Sequence, residues 1–451
     1  MKKMRNIRKK VKSIRVINPN VAGIDLGSKA HYACVPVDRD EDNVRRFECF
    51  TADLHKMVKW FKECKIESVA MESTGVEWIP VYDILEQEGF EVKLVNARHV
   101  KNVPGRKTDV ADSQWLQELH SYGLLSGSFR PDDKIVKLRG YMRHRDNLIK
   151  GSSVHIQRMH KSLTEMNVQI HKVLSDMTGV SGLRIIKAII GGERNPKKLA
   201  KLATGGVKSS LEIIEKSLEG NYRAEHIFRL KQEVELYEFY LKKIEVCNEE
   251  IEKCYDDLPN KGDMNNFKPD KIQKRKNMPK YDLQSKLYQA TGVDLTKIDG
   301  LSVISVQNIL SEVGLNITKW PTEKHFTSWL GLSPNNKITG DKVKSTSTKK
   351  VVNRATTAFR QSAVTLHHSK SAMGAYYRRM NQRLGGIKAV VAVARKLACV
   401  FYRMMKFGQE YVDEGIEKYE ERFKAQAIKN LERRASNFGL KLTPQAIGAT
   451  V

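Results

Sequence analysis

Acidic residues, paired cysteines and long apolar runs are what this 451-residue chain has least of. Its 52 Asp plus Glu stand against 79 Lys plus Arg, a formal net charge of +27, which disfavours a cationic partner and favours a polyanion, nucleic acid before membrane. The six cysteines (34, 49, 64, 247, 254 and 399) form no C-x-x-C pair, which argues against a disulfide framework or a zinc module and suits a reducing compartment. The most apolar late stretch, residues 389–405, is broken by Arg395, Lys396 and Arg403, whereas a bilayer span needs about 20 mostly apolar residues. No apolar segment of the secretory kind follows the basic opening MKKMRNIRKKVKSIRV. The expectation is a soluble, cytoplasmic protein with no membrane partner. At roughly 100–200 residues per domain, its length allows two to four domains.

What is present changes character along the chain. Short apolar runs at 21–37, 47–50, 68–71 and 91–95 alternate with helical patterns at 54–64, 79–88 and 110–122, which predicts an α/β layer with a mixed or parallel sheet. Apolar residues then recur in steps of three and four from Ile135 to Met177, interrupted at Arg145 and Ser152, and again from Ile227 to Leu258, with Asn248 as the polar seam position. Sustained heptads predict coiled-coil helices, and a lone seam Asn fixes register or partner number; the same seam also suits a helical hairpin within one chain. Residues 179–225 between the two series read as a Gly-punctuated helical insertion. The polar, basic segment at 259–282 reads as a linker, and helices are expected at 298–313, 322–329, 351–366, 387–406 and 408–440, with a polar loop at 333–350. The resulting division is a basic arm (1–20), an α/β domain (21–130), a coiled-coil domain with its insertion (131–260), a linker (261–296) and a mainly α-helical C-terminal domain (297–451).

Four carboxylates stand out. Asp is depleted in strands, yet GIDLGSK places Asp25 inside the first one, between Gly23 and Gly27, which let another backbone or a phosphate approach. Glu72 ends a second apolar run in VAMESTGVEW, and Asp109 and Asp112 in KTDVADSQWL lie three apart at a helix start, on one face. Gathered at a sheet edge, these oxygen donors suit hard cations such as Mg²⁺, and a two-metal site would hold its ions about 3.5–4 Å apart across a scissile phosphate. In a basic chain that binds a polyanion, such a cluster would repel its partner unless metal lay between them. The plainer readings are Asp109 as an N-cap with Lys107 as its surface partner, and Glu72 as a solvated strand end. The pattern G-x-D-x-G-[ST] also resembles the phosphate loop of sugar kinases and actin-like ATPases.

From Lys337 to Lys406 the single acid is Asp341, among Lys337, Lys342, Lys344, Lys349, Lys350, Arg354, Arg360, Arg378, Arg379, Arg383, Lys388, Arg395 and Arg403. Such a run neutralises phosphates with steep salt dependence. Trp320, Tyr376 and Tyr377 could stack bases or fill core, and Trp329 reads as core. The segment KIDGLSVISVQNILSEVG has the spacing of a helix-hairpin-helix, with Ser302 where a second Gly is usual.

These residues together resemble the insertion-sequence transposases of family 110, also called DEDD transposases or bridge-RNA-guided recombinases. The resemblance runs from about Val21 to the end. It rests on GIDLGSKAH, MESTGVEW and KTDVADSQWL, then AIIGGERNPKKLAKL and EHIFRLK, then HFTSWLGLSPNNKITG, SAMGAYYRRM and ARKLACVFYRMMK. The C-terminal wording is closest to the subgroup named after insertion sequence 1111. The resemblance implies an RNase H-like (RuvC-like) N-terminal domain, coiled-coil helices and a C-terminal transposase domain in a bacterial or archaeal, nucleoid-associated protein. It makes Asp25, Glu72, Asp109 and Asp112 the ligands of Mg²⁺ or Mn²⁺. It also implies a noncoding guide RNA that pairs with the element's ends and with target DNA, while the heptads lead to the expectation of a homo-oligomer, dimer or tetramer, joined through the coiled coil. Relatives attack DNA with a Ser hydroxyl in a Ser-Gly loop; here the position holds Thr339, in NKITG, whose methyl restricts χ1. Ser345 and Ser347 are displaced candidates. A RuvC-like nuclease using water and a catalytically dead nucleic-acid binder remain the competing readings.

Overall fold

The computed structural model describes residues 15–73, 75–96, 108–204, 206–270, 276–408 and 415–443. Most of the basic arm, and Lys107, lie outside the described residues. The chain divides into two compact units, residues 1–130 and 131–451.

In the first unit the strands β1 (Val21–Leu26), β2 (Ala30–Cys34), β3 (Val44–Glu48), β4 (Ser68–Glu72) and β5 (Glu91–Val95) form one sheet in the order β3-β2-β1-β4-β5. The β2 and β3 pairings are antiparallel, and β4 is parallel to both β1 and β5. The helices are α1 (Thr51–Glu63), α2 (Trp78–Gln87) and α3 (Asp109–Ser121). A mixed sheet of this kind is the expected α/β layer and is consistent with an RNase H-like fold. Alternation sorts the residues of β1: Ala22 and Ile24 enter the core with Leu54, Met57, Phe61 and Leu85 of α1 and α2, so Gly23 and Asp25 face the other side of the sheet.

That other side carries α3. A Cβ on Gly23 would overlap the backbone nitrogen of Gln117 and stand 2.5 Å from the Ser113 carbonyl oxygen, so the missing side chain is what admits the helix. Two further ties hold it. Ser68 Oγ and His120 Nε2 lie 2.9 Å apart in the interior, and Asn18 Nδ2 donates to the His120 carbonyl at 2.9 Å. Burial, reinforced by the charge of Lys93, lowers His120 to about 4, so the ring packs neutral.

The second unit opens with α4 (Asp133–Glu165), followed by α5 (Val180–Ile190), α6 (Pro196–Ala200), α7 (Leu211–Ser217) and α8 (Ala224–Asp256). The heptad helices α4 and α8, 33 residues and so about 50 Å each, pack on each other within the chain. The intramolecular hairpin therefore uses much of the seam. Its polar interruptions find one another: Arg145 Nε donates to Asn248 Oδ1 at 2.5 Å, and Arg145 also reaches the Asn277 carbonyl. The apolar series outlasts the helix, which ends at Glu165; Asn167, at φ +57°, turns the chain, and Met166, Ile170 and Met177 enter the core of the insertion instead.

Within the segment read as linker, α9 (Leu283–Thr291) buries Leu283, Leu287 and Ala290, and the Phe267 and Tyr288 rings stack 4.0 Å apart. The chain continues through α10 (Val303–Val313) and α11 (Glu323–Trp329). Glu312 on α10 is buried against α4, paired with Arg143 at 3.0 Å and Arg139 at 3.5 Å. The expected polar loop contains a hairpin, β6 (Lys337–Thr339) and β7 (Lys342–Ser345). Helices α12 (Arg354–Thr365), α13 (Ala372–Leu384), α14 (Gly386–Phe407) and α15 (Ile416–Asn437) complete the unit. The sequence reading missed α13, although Ser371 caps it by accepting from the Gly374 N–H at 3.1 Å.

Gly23→Ala should lower the midpoint of thermal unfolding, followed by circular dichroism, by an amount equivalent to about 1–3 kcal/mol, the usual cost of overpacking. Gly140→Ala, on the exposed face of α4 where an added Cβ meets nothing within 4 Å, should stabilise by up to about 1 kcal/mol.

Candidate functional site

β1 and β4 run parallel and in register through Ile24 and Met71, and the next residue on each strand is its carboxylate, Asp25 or Glu72. Both belong to the face that carries α3. They sit at the carboxyl ends of neighbouring parallel strands, where α/β sheets place their ligand sites. Asp109 and Asp112 occupy the first turn of α3, where aligned peptide dipoles favour negative charge. The N-cap is Thr108, whose Oγ1 accepts from the Ala111 N–H at 3.2 Å, so capping does not account for Asp109.

Electrostatics shows that the four acids share one region. Asp25 is pushed up from 3.8 to about 6, first by burial and then by the like charges of Asp112, Asp109 and Glu72, against a backbone hydrogen bond from Leu26 that lowers it. A half-buried carboxylate facing three others is an uncompensated charge that a cation would relieve. The all-oxygen donor set suits a hard divalent ion. Among the described residues, no three His, Cys, Asp or Glu side chains are grouped closely enough to hold a metal ion.

Thr339 lies in the second unit, exposed at the end of β6. Gly340 at φ +50° and Asp341 at φ +58° make the two-residue turn that joins it to β7, the combination of positive φ values that matches hairpin twist. A β-branched residue suits a strand end, and the exposure of Thr339 leaves its hydroxyl clear of packed neighbours. Ser345 and Ser347 are tied to each other, Oγ to Oγ at 2.9 Å.

The basic residues fall into two groups. Lys337, Lys342, Lys344, Lys349 and Lys350 are exposed on or just beyond the hairpin. Arg354 is paired with Asp146 at 2.8 Å, Arg378 donates to the carbonyls of His367 and Ser369, and Arg379 lies 3.8 Å from the Phe423 ring centroid and 5.0 Å from that of Tyr419. These three arginines are engaged by the chain itself. Trp320 and Tyr377 are buried, which removes them as base-stacking platforms; Trp329 packs 4.8 Å from the Trp320 ring, and Tyr376 is half-buried beneath Lys396. In the expected helix-hairpin-helix, a Cβ on Gly300 would stand 2.8 Å from the Ser362 carbonyl oxygen, and Ser302 caps α10 by accepting from the Ser305 N–H. That glycine serves packing. Sequence reasoning did not find the cross-strand pairing of Thr339 with Lys342, because strands of three and four residues with one apolar residue facing the other are too short for alternation to stand out in a polar loop.

Residues 22–168 match a family profile described as a transposase of the DEDD type associated with IS110, and residues 294–378 match one described as the transposase IS116/IS110/IS902 family. No curated protein matches the chain. Among the described residues, no helix is long and apolar enough to cross a membrane.

Because the folded Asp25 holds its proton to higher pH than the unfolded chain does, its contribution to stability is complete below about pH 3.8 and is lost as pH rises through about 6. Asp25→Asn keeps the shape and drops the charge. It should melt above the parent protein at pH 8, by a margin that shrinks toward pH 4. Added Mg²⁺ should raise the parent's midpoint and leave the variant's nearly unchanged; a variant less stable than the parent at pH 8 would refute the repulsion.

Proposed function

The chain belongs to the IS110 family of insertion-sequence transposases, and from that premise we propose that it is a metal-dependent, RNA-guided DNA recombinase that uses the Thr339 hydroxyl as its nucleophile. Transposases bind DNA, and the +27 charge supplies the attraction. The observation that carries the reading is the placement of Asp25 beside Glu72 at the carboxyl ends of parallel strands, with the Asp25 carboxyl raised first by burial and then by the charges of Asp112, Asp109 and Glu72. A basic chain has little reason to concentrate acid there unless it holds cations against a phosphate.

Mg²⁺ or Mn²⁺, held by Asp25, Glu72, Asp109 and Asp112, would polarise the scissile phosphate and ease loss of the proton from the attacking hydroxyl. Asp25 and Glu72 are fixed by strand register, and Asp109 and Asp112 by the seating of α3 at Gly23. Thr339 presents a hydroxyl with no hydrogen-bond partner among the described residues, open to substrate. The exposed lysines 337, 342, 344, 349 and 350 hold the phosphate backbone, while Arg354, Arg378 and Arg379 brace the helices beneath. Sequence choice falls to base pairing by a noncoding RNA transcribed from the element, as the family resemblance implies. Assembly into a homo-oligomer, dimer or tetramer, is supported by Leu236, Phe239 and Val246, apolar residues exposed on the outward side of α8 although its seam is filled by α4.

The test uses the full-length protein, a plasmid carrying the element's ends, and the RNA encoded beside the gene. Asp25→Ala and Glu72→Ala should each reduce strand exchange by about 10³-fold or more while leaving RNA binding within a few fold. Thr339→Ala should abolish the covalent protein–DNA adduct seen on a denaturing gel, and Thr339→Ser should keep it. Cutting by Thr339→Ala without an adduct would identify a hydrolytic nuclease instead, and recombination by either carboxylate variant would remove the metal site from the mechanism.

A further inference from the structure

Backbone register sets one cation beside Thr339. Thr339 and Lys342 are Cα partners, the last residue of β6 and the first of β7, across the Gly340–Asp341 turn. Residues directly opposite in an antiparallel pair project from the same face, with Cβ atoms roughly 4.5–5.5 Å apart. The next pair, Ile338 and Val343, therefore projects from the reverse face, where they are 61% and 58% exposed. The ribbon thus has a hydroxyl-and-ammonium face and an apolar face. Neither Thr339 Oγ nor Lys342 Nζ has a hydrogen-bond or ion-pair partner among the described residues, and Asp341, the nearest acid in sequence, makes no ion pair with Lys342. An anion resting against the Thr339 hydroxyl lies within the sweep of a lysine side chain rooted about 5 Å away.

We propose that Lys342 is a catalytic residue that grips the scissile phosphodiester for attack by Thr339, an inference that rests on Thr339 being the nucleophile. Its ammonium donates to a non-bridging oxygen of the phosphate. The Thr339 Oγ–P bond forms, the P–O bond to the departing nucleotide breaks, and the proton lost by the hydroxyl ends on the departing oxygen. One phosphodiester replaces another, with no oxidant, reductant or water consumed. Charge on the non-bridging oxygens must be held while phosphorus changes partners, and a cation anchored on the same ribbon as the nucleophile moves with it. The other exposed lysines lack this register: Lys337 is opposite Ser345 beside a register shift, Lys344 lies farther along β7, and Lys349 and Lys350 lie beyond it.

The rate of covalent adduct formation is measured with the full-length protein, Mg²⁺, the cognate RNA and a plasmid carrying the element's ends, at protein concentrations that saturate DNA binding in a parallel filter assay. Lys342→Ala should slow adduct formation by about 10²-fold at saturation, the usual effect of removing one such donor, and Lys342→Arg should recover most of it. Both positions are exposed on the ribbon, and circular dichroism should match the parent's. If Thr339→Ala abolishes the adduct but Lys342→Ala forms it within about threefold of the parent's saturated rate, the role of Lys342 is overturned and the nucleophile stands. A Lys342→Ala defect that vanishes at saturation shows binding charge alone and overturns the proposal equally. If Thr339→Ala still forms the adduct, the nucleophile assignment fails, and the proposal falls with it.

Discussion

The close seating of α3 on β1 is the constraint on which the first unit depends. Four carboxylates from three elements can share one region only if the helix bearing Asp109 and Asp112 lies against the strand bearing Asp25. Gly23 makes that possible, because any side chain there would meet the backbone of Gln117 and Ser113. His120, buried and neutral, fastens the other end of the helix to Ser68 on β4, the strand that ends in Glu72. Packing at the middle of α3 and a buried hydrogen bond near its carboxyl end thus fix where the acids of its first turn stand. The burial of Asp25, and after it the like charge of its neighbours, is tolerated because these apolar and hydrogen-bonded contacts offset it.

Much of this unit was legible in the sequence because its signals are local. Strand β5 begins and ends where its apolar run does, and Asp25 was conspicuous as an acid in a strand. The glycines flanking it were read as sites of close approach, and at Gly23 the approaching backbone is that of α3. The four acids could be named, but their arrangement could not, since that depends on how α3 seats against strands far from it in the chain. Helix α13 was missed because Gly374 and the run of Tyr376 to Arg379 obscure an apolar face made of Ala372, Met373, Ala375, Tyr377 and Met380.

In the second unit, periodicity announced two long helices but not the partner each would face. Arg145 and Asn248, each of which interrupts a seam, are answers to one another, and a pairing across about a hundred residues leaves no trace in either local pattern. The lock favours this register, since a one-heptad slip would leave the buried Asn248 amide without its half-buried guanidinium partner. Glu312, between Arg139 and Arg143, ties α10 to the same hairpin, so the helices that follow are referenced to α4. The supposed linker is part of this framework, with Leu283 and Leu287 in the interior and Phe267 stacked on Tyr288.

The β6–β7 ribbon has two strands and hence two outer edges, each a row of backbone donors and acceptors that another chain's strand could extend. Natural proteins guard such edges with lysine and strong local twist, and this ribbon has both: Lys337, Lys342 and Lys344 along its length and a tight turn at its tip. While those cations are bare, two ribbons repel and cannot zip together. An anion that neutralised them would lift the guard, so the bare lysines of this ribbon disfavour edge-to-edge pairing between free molecules.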